Sequence, residues 1–388
     1  MQERSNDLDY QFAQKFRKPP KRVSIRHLLD KPCMKNTSHP SSRPLLITMG
    51  DAAGIGPEII AKAFRDARSD MRGCVVIGDV ATLRRASALV AAPLPLPVLQ
   101  IESLSGARDL PMGCIPVLQP CVPLAPLPFG QISGLAGRAA AECIVWAARA
   151  VLTGKAIGMV TAPIHKEALS AASGCASRFP GHTEMLQAEA AGFLKKPIQA
   201  VPVRMMLANN ELKTVLVSIH MSLRHAIDAV TFDSVLETLR ITHHALSATL
   251  GKAPRIAVAG LNPHAGEGGL FGCEEQTIIA PAIAAARAEG LHVIGPFAPD
   301  TVFMRARNTP NKPGEFDVVV AMYHDQGLIP VKYLGVEHGV NVTLGLPLVR
   351  TSPDHGTAFD IAGTGQADAA SLLAAVRMAY QLTGTKGR

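Results

Sequence analysis

The sequence is poor in aromatic residues, in charge and in long apolar runs, and each shortage argues against a class of protein. Phe, Trp and Tyr make up only 4% of the chain, too few for the stacking surfaces that bind single-stranded nucleic acid. The longest apolar run, residues 88–99, is interrupted by three prolines. It is too short to cross a lipid bilayer. Charged residues account for 18%, so neither a nucleic-acid nor a membrane partner is expected.

Paired cysteines and an apolar leader are also missing. The chain has 388 residues and seven cysteines, an odd number, without a Cys-x-x-Cys pair. A disulfide framework is therefore not expected. The amino-terminal region lacks the apolar core of a signal peptide and contains acidic residues, which mitochondrial transit peptides avoid. We therefore predict a cytoplasmic protein.

The net positive charge of +8 is concentrated at the amino end. Residues 1–43 contain ten Lys and Arg against four Asp and Glu, and the remainder is close to neutral. Basic tails of this kind are usually solvated. The sequence therefore predicts a flexible basic extension over residues 1–43, followed by a folded region over residues 44–388.

From residue 45 onward, short apolar runs alternate with longer Ala-rich segments. This alternation predicts an α/β fold with a largely parallel sheet that is covered on both faces. The Pro-rich segment 91–128 is predicted to be an irregular connection. Strands are predicted at residues 45–49, 74–77, 157–161, 214–219, 256–260 and 318–322, and helices at 57–69, 135–152, 232–250, 275–289 and 369–382.

Most of the unusual polar residues follow predicted strands, where parallel sheets bind ligands. The Gly-rich segment 48–58 is predicted to be a strand-to-helix turn, either one that binds a ligand or simply a tight connection. It lacks the Lys-Ser/Thr of a P-loop and the third Gly of a dinucleotide fingerprint. His182 and Thr183 open a predicted helix, where free N–H groups and these side chains could bind an anion. Ordinary helix capping is the alternative.

Three histidines, His220, His264 and His324, each follow a strand. They could meet at one point, and three imidazoles with open positions are typical of a catalytic divalent-metal site. Asp325 would then orient its neighbour His324. The alternative is that each histidine is structural or solvated.

Lys332, Asn341 and Arg350 lie in otherwise apolar segments. A cation there either reaches water along its stem or binds a phosphate or carboxylate, Arg in bidentate fashion. The polar, Gly-containing segment 354–363 by itself indicates only a loop.

Taken together, these segments resemble one family, the 4-hydroxythreonine-4-phosphate dehydrogenases or PdxA family. The resemblance covers about residues 45–385. Its motifs are residues 50–58 (GDAAGIGPE), 161–167 (TAPIHKE), 180–184 (PGHTE), 262–269 (NPHAGEGG), 299–303 (PDTVF), 322–327 (MYHDQG), 340–347 (VNVTLGLP) and 350–358 (RTSPDHGTA).

The resemblance implies a three-layer α/β/α fold like that of isocitrate and isopropylmalate dehydrogenases. Two interleaved subdomains within residues 44–388 would flank an active-site cleft, and a homodimer would place that cleft near the subunit interface. It also assigns roles to individual residues. The implied metal ligands are His220, His264 and His324; the substrate ligands are His182, Thr183, Lys332, Asn341 and Arg350; the nucleotide ligands are His355, Gly356, Thr357 and Ala358.

The activity implied by the resemblance requires NAD, with NADP as an alternative, and one divalent ion: Zn, Mg, Co or Mn. It oxidises 4-phosphohydroxy-L-threonine, which then loses CO2 to give 3-amino-2-oxopropyl phosphate for pyridoxal phosphate biosynthesis. Asp325 or a metal-bound water would accept the proton. Relatives that act on 4-phospho-D-threonate or 4-phospho-D-erythronate, giving dihydroxyacetone phosphate, leave the substrate open. The further alternatives are a phosphate acyltransferase of related fold and a silent metal- or nucleotide-binding protein.

Overall fold

A computed structural model describes residues 43–90, 93–111, 113–174 and 176–384, so the predicted basic extension lies almost wholly outside the described residues. Within these ranges, twelve strands form one sheet. The strands are β1 (Leu45–Thr48), β2 (Cys74–Ile77), β3 (Val98–Gln100), β4 (Ile115–Leu118), β5 (Gly158–Thr161), β6 (Arg204–Ala208), β7 (Lys213–Leu216), β8 (Ile256–Ala259), β9 (Val293–Phe297), β10 (Val318–Ala321), β11 (Val340–Leu344) and β12 (Arg350–Pro353).

Helices connect most of these strands. They are α1 (Gly56–Asp66), α2 (Val80–Val90), α3 (Gly134–Leu152), α4 (Lys166–Ser170), α5 (His182–Leu194), α6 (Leu223–Ala229), α7 (Phe232–Leu250), α8 (Ala280–Ala288), α9 (Pro299–Ala306), α10 (His324–Tyr333) and α11 (Ala370–Leu382). No helix among the described residues has the length and hydropathy needed to cross a membrane.

The sheet consists of two parallel halves that run in opposite directions. Its strand order is β3-β4-β2-β1-β5-β12-β11-β6-β7-β10-β8-β9. The pairs β12–β11, β11–β6 and β6–β7 are antiparallel, and every other pair is parallel. The carboxyl ends of β7, β8 and β10 therefore share one edge of the sheet, which is not the edge reached by β1 and β5.

Successive side chains of a strand point to opposite faces of the sheet, and helices pack on both faces and bury them. Leu45 and Ile47 pack in one apolar cluster with α1, α2, α7, α8 and α11. Leu46, between them, points to the other face and packs with α3 and α5. On that second face, α9 and α10 cover β7, β8 and β10. Each buried Leu or Ile contributes about 1.5–3 kcal/mol. The predicted three-layer α/β/α class is confirmed.

Helix α7 has the predicted bounds because both of its ends carry strong signals. Thr231 caps the helix by accepting a hydrogen bond from the Ser234 N–H, and the Ser234 hydroxyl accepts one from the Thr231 N–H. Gly251 ends the helix with a φ of 65°, in the left-handed region that glycine adopts most easily.

Other predictions need correction in detail. The six predicted strands are all present and the sheet is largely parallel, as predicted, but three strand pairs are antiparallel and the strands β6, β9, β11 and β12 were not predicted. The segment 91–128, predicted to be irregular, contributes the strands β3 and β4. The predicted helix 275–289 opens with a π-helical turn over Glu275–Ile279 before α8. The division into two interleaved subdomains stays a prediction.

Gly137 allows α3 to cross α4 at close range. A Cβ at this position would lie 2.0 Å from the Ala168 carbonyl oxygen, so Gly137→Ala must push the two helices apart. We expect a loss of about 3 kcal/mol in the free energy of unfolding, typical of overpacking. Gly192→Ala, in open space on α5, is the matched control and should gain about 1 kcal/mol. Urea denaturation of both variants checks this; equal stabilities would contradict it.

Candidate active site

His220 and His324 come together because they follow neighbouring parallel strands, β7 and β10. Their ring centroids are 5.6 Å apart. Asp325 Oδ1 lies 2.7 Å from His324 Nδ1. A carboxylate on one ring nitrogen fixes the tautomer and leaves the other nitrogen, Nε2, as a metal-binding lone pair. The predicted orienting role of Asp325 is compatible with this contact.

The surroundings of His220 favour its neutral form. Burial lowers the pKa of His220, and the charges of His324 and Lys166 lower it further, while Glu184 opposes them. Neutral imidazole is the form that binds a metal ion. The pair therefore offers imidazole nitrogens that suit a divalent ion. It also lies close enough to the first turn of α5 for the charge of Glu184 to influence His220.

His264 does not complete a three-residue metal site with this pair within the described residues of one chain. Among the described residues, no group of three His, Cys, Asp or Glu side chains is placed to hold a metal ion. The His264 ring packs 6.1 Å from Phe271 and lines a groove of about 650 Å³ that Asp325 also lines. The structure thus brings two of the three predicted ligands together.

The loop that carries His264 has a strained backbone. His264, Ala265 and Glu267 all have positive φ values, of 53°, 53° and 43°, which cost free energy in residues other than glycine. The buried Glu275 side chain fixes the start of the loop by accepting the N–H groups of Leu261 and Asn262, both at 2.7 Å. Backbone strain that the surrounding structure holds in place is common at functional sites.

Arg350 is a buried cation without a carboxylate partner in the described part of the chain. It is 4% exposed. Its Nε and Nη2 donate to Thr161 Oγ1 at 3.1 and 2.7 Å, and Nη1 donates to Thr343 Oγ1 at 3.1 Å. Burial lowers the pKa of Arg350 to about 10. Two hydroxyls do not neutralise a guanidinium, so the site favours an incoming anion.

His182 and Thr183 begin α5, as predicted. Gly181 precedes them and provides no side-chain cap. His182 Nε2 is buried without a partner. Burial, and next the positive charge of Arg350, hold the pKa of His182 well below its usual range. A neutral His182 at a helix amino end and a charged Arg350 thus lie in one neighbourhood.

The lowered pKa of His182 has a measurable effect on stability. An unfolded histidine takes up a proton near pH 6.5, whereas folded His182 stays neutral. The unfolded chain therefore binds more protons below that pH, and stability falls as the pH falls, by at most about 1.4 kcal/mol per pH unit from this group. We expect His182→Gln to make this acid-side decline shallower. Melting temperatures between pH 7 and 5 measure it; parallel curves would contradict it.

Lys332 and Asn341 approach the Arg350 strand, β12, from different elements: Asn341 lies on the neighbouring strand β11, and Lys332 on α10 contacts the residue that follows β12. Lys332, in the last turn of α10, pairs with Asp354 Oδ2 at 2.8 Å. Asn341, on β11, stands opposite Ser352 on β12. Asn341 therefore lies on a strand that borders β12, whereas the Lys332 ammonium is engaged by Asp354 just after β12.

The loop with His355, Gly356, Thr357 and Ala358 rests on the Gly-rich turn after β1. The Thr357 carbonyl accepts the Ile55 N–H at 3.0 Å. A Cβ on Gly54 would lie 3.0 Å from Thr357 Cβ, so glycine permits this approach. Two segments that are distant in sequence thus form one surface, and the turn supports the loop that the resemblance assigns to a nucleotide.

Asp51 and His165 also border this surface, although no role was predicted for them from the sequence. Asp51 is 1% exposed; its Oδ1 accepts the Ala53 N–H at 2.8 Å, while Oδ2 has no partner. Burial raises the pKa of Asp51, and the Ala53 N–H and His165 oppose this. His165 stacks on Phe359 at 4.6 Å, and its Nδ1 is buried without a partner. Asp51 lies in the motif 50–58 and His165 in the motif 161–167, and this position in a family motif is the sequence signal that could have identified them.

Comparison with known proteins agrees with this geometry. The family model "Pyridoxal phosphate biosynthetic protein PdxA" matches residues 70–379. A 4-hydroxythreonine-4-phosphate dehydrogenase of Beijerinckia indica is 52% identical over 340 residues, covering 87% of this chain and 95% of that protein. A D-threonate 4-phosphate dehydrogenase of Salmonella typhimurium is 43% identical over 342 residues, covering 88% and 99%.

A solved structure supports the fold as well. The crystal structure of 4-hydroxythreonine-4-phosphate dehydrogenase from Klebsiella pneumoniae is 40% identical, covers 88% of this chain and 99% of its own, and superposes with a TM-score of 0.76. The predicted family is confirmed by sequence and by structure. The chain belongs to the PdxA family and is a dehydrogenase.

Proposed function

We propose that this enzyme oxidises 4-phosphohydroxy-L-threonine with NAD, in the biosynthesis of pyridoxal phosphate. The oxidised product, a β-keto acid, then loses CO2. The observation that carries the proposal is Arg350, a buried cation that no described carboxylate neutralises, beside the neutral His182. The name of the Beijerinckia indica relative supports the same substrate.

In this proposal, the chain's own residues recognise the acidic groups of the substrate. Arg350, held by Thr161 and Thr343, binds a phosphate or carboxylate oxygen. The uncapped N–H groups at the start of α5, with His182 and Thr183, donate to the same kind of group. Lys332 and Asn341 complete the set, and Asp354 limits where the Lys332 ammonium can lie.

We further propose that His220, His264 and His324 hold a divalent ion, with Zn, Co, Mg and Mn as candidates. The neutral His220 and the Asp325-oriented His324 fit such an ion. When bound, the ion would act as a Lewis acid that favours loss of the hydroxyl proton. Asp325 is the side chain placed nearest to this pair that could move a proton.

The surface formed by the Gly-rich turn and residues 355–358 is proposed to bind NAD, which would accept the hydride; NADP is the alternative. Asp51 and His165 supply polar atoms at its edge, and Phe359 holds the His165 ring in place. The chain thus orients the cofactor through contacts between segments.

A homodimer is proposed because the groove that His264 lines has an apolar rim. Met304, Ile329 and Tyr333 border it and are 68%, 64% and 90% exposed. Exposed apolar clusters of this kind mark protein interfaces. Light scattering on the native chain and on Tyr333→Glu tests this proposal; a native monomer contradicts it.

4-Phospho-D-threonate is the second candidate substrate, because the Salmonella typhimurium relative is named for it. The anion-binding residues would serve both substrates. The test is NADH formation with each compound, and with 4-phospho-D-erythronate, at saturating NAD and Mg or Zn. A hundredfold preference in kcat/KM, about 2.7 kcal/mol, assigns the substrate. No turnover with any of them would contradict the proposed reaction and would favour a silent binding protein.

A further inference from the structure

A second, larger cavity of about 950 Å³ lies at the amino ends of β7 and β10. Lys213 begins β7 and Val318 begins β10, whereas His220 and His324 follow the carboxyl ends of the same strands. A four-residue strand is roughly 13 Å long. The cavity is therefore separate from the candidate active site.

The cavity walls combine apolar and charged side chains, and the apolar part comes from the sheet and from the ends of two helices. Leu246 and Leu250 belong to the last turns of α7, and Met378 and Leu382 to those of α11. Phe316, just before β10, lies in the same wall. The volume falls within the range of small-molecule sites, which are mainly apolar with a few polar groups.

Charged side chains in the wall are paired, with one exception. Ion pairs join Arg255 to Asp317 at 2.9 Å, Arg377 to Asp70 at 2.7 Å and Arg307 to Glu211 at 2.5 Å. The side-chain ammonium of the half-buried Lys213 forms no hydrogen bond or ion pair with any residue that the structure describes, although its backbone pairs with Ala208 on β6. Burial lowers the pKa of Lys213, and Asp317 opposes this from a greater distance.

We propose that this cavity binds a small amphipathic molecule with an aromatic or aliphatic body and one acidic group. The acidic group pairs with the Lys213 ammonium, and the body lies against the apolar wall. A partly buried ammonium without an acceptor is unfavourable, and an anion at this point offsets that cost. The inference does not depend on the reaction proposed above.

The test is a fluorescence titration of the full chain with 8-anilinonaphthalene-1-sulfonate, which combines an aromatic body with one sulfonate. We expect 4-phenylbutyrate to displace the probe and 4-phenylbutan-1-ol, which has the same body without the charge, to displace it poorly. Lys213→Met keeps the apolar stem and should weaken probe binding at least tenfold, about 1.4 kcal/mol. Lys252→Met, on an exposed neighbour outside the cavity wall, should change it less than twofold.

A second pair of variants shows where the probe binds. Leu250→Trp adds bulk to the cavity wall and should abolish probe binding without touching Lys213. Leu270→Trp, on an exposed apolar side chain elsewhere, should not. Circular dichroism confirms that each variant is folded. If Lys213→Met and Leu250→Trp both bind the probe as the native chain does, the probe lies elsewhere and the proposal is overturned.

Discussion

Arg350→Met is expected to reduce kcat/KM for a phosphorylated substrate at least about a thousandfold, or about 4 kcal/mol. The guanidinium is buried, and its described partners are the hydroxyls of Thr161 and Thr343. Its charge is therefore available to the substrate anion. Steady-state NADH formation measures the loss. Arg350→Lys keeps the charge but not the two-point geometry, and it should lose about ten- to a hundredfold.

The stability of the same variant separates binding from a structural role. Burial lowers the pKa of Arg350 to about 10. Below that pH the guanidinium is charged, and burying this charge lowers the free energy of unfolding. A neutral Met removes this cost but leaves two hydroxyls unpaired. The melting temperature should therefore change little. A large fall in melting temperature with unchanged kcat/KM would show that Arg350 only supports the fold.

His324→Ala is expected to weaken divalent-metal binding at least about a hundredfold and to abolish metal-dependent turnover. One of two neighbouring imidazoles is lost, and the Asp325 carboxylate no longer has a ring to orient. His220→Ala should behave in the same way. Asp325→Asn removes only the orienting charge and should cost about ten- to a hundredfold in metal affinity. Zinc titration and elemental analysis measure the affinity independently of turnover.

His264 and His292 extend the same experiment. If His264 is a ligand, His264→Ala loses metal as the other two variants do, although the three histidines form no metal-binding group within the described residues of one chain. His292→Ala replaces an exposed histidine that precedes β9 and is the control. Native metal affinity in all three site variants would show that the three-histidine assignment is wrong.

Local patterns in the sequence were enough to predict the elements that local forces define. The apolar runs of β1, β2 and β10 and the capped helix α7 are short-range features, and they were placed to within a few residues. The strands β3 and β4 were missed because they are short and because prolines surround and interrupt them.

The contacts between distant segments depend on tertiary structure. Three successive antiparallel pairs, β12–β11, β11–β6 and β6–β7, reverse the direction of the second half of the sheet, and no local periodicity reports strand direction. The ring stacking of His165 on Phe359 joins residues that are far apart in the chain. The hydrogen bond from the Ile55 N–H to the Thr357 carbonyl does the same for the Gly-rich turn.

The sequence by itself therefore determined the family, the α/β class and the residue types available for chemistry, because motifs and periodicity depend only on the order of the residues. Only the tertiary structure decided that Arg350 lacks a carboxylate partner among the described residues and that His220 and His324 adjoin without forming a three-residue metal site with His264. It also decided that Asp51 and His165 border the same surface. Burial and neighbouring charges set the protonation state of these groups and decide which of their polar atoms lack a hydrogen-bond partner. These effects arise from contacts between segments that folding brings together.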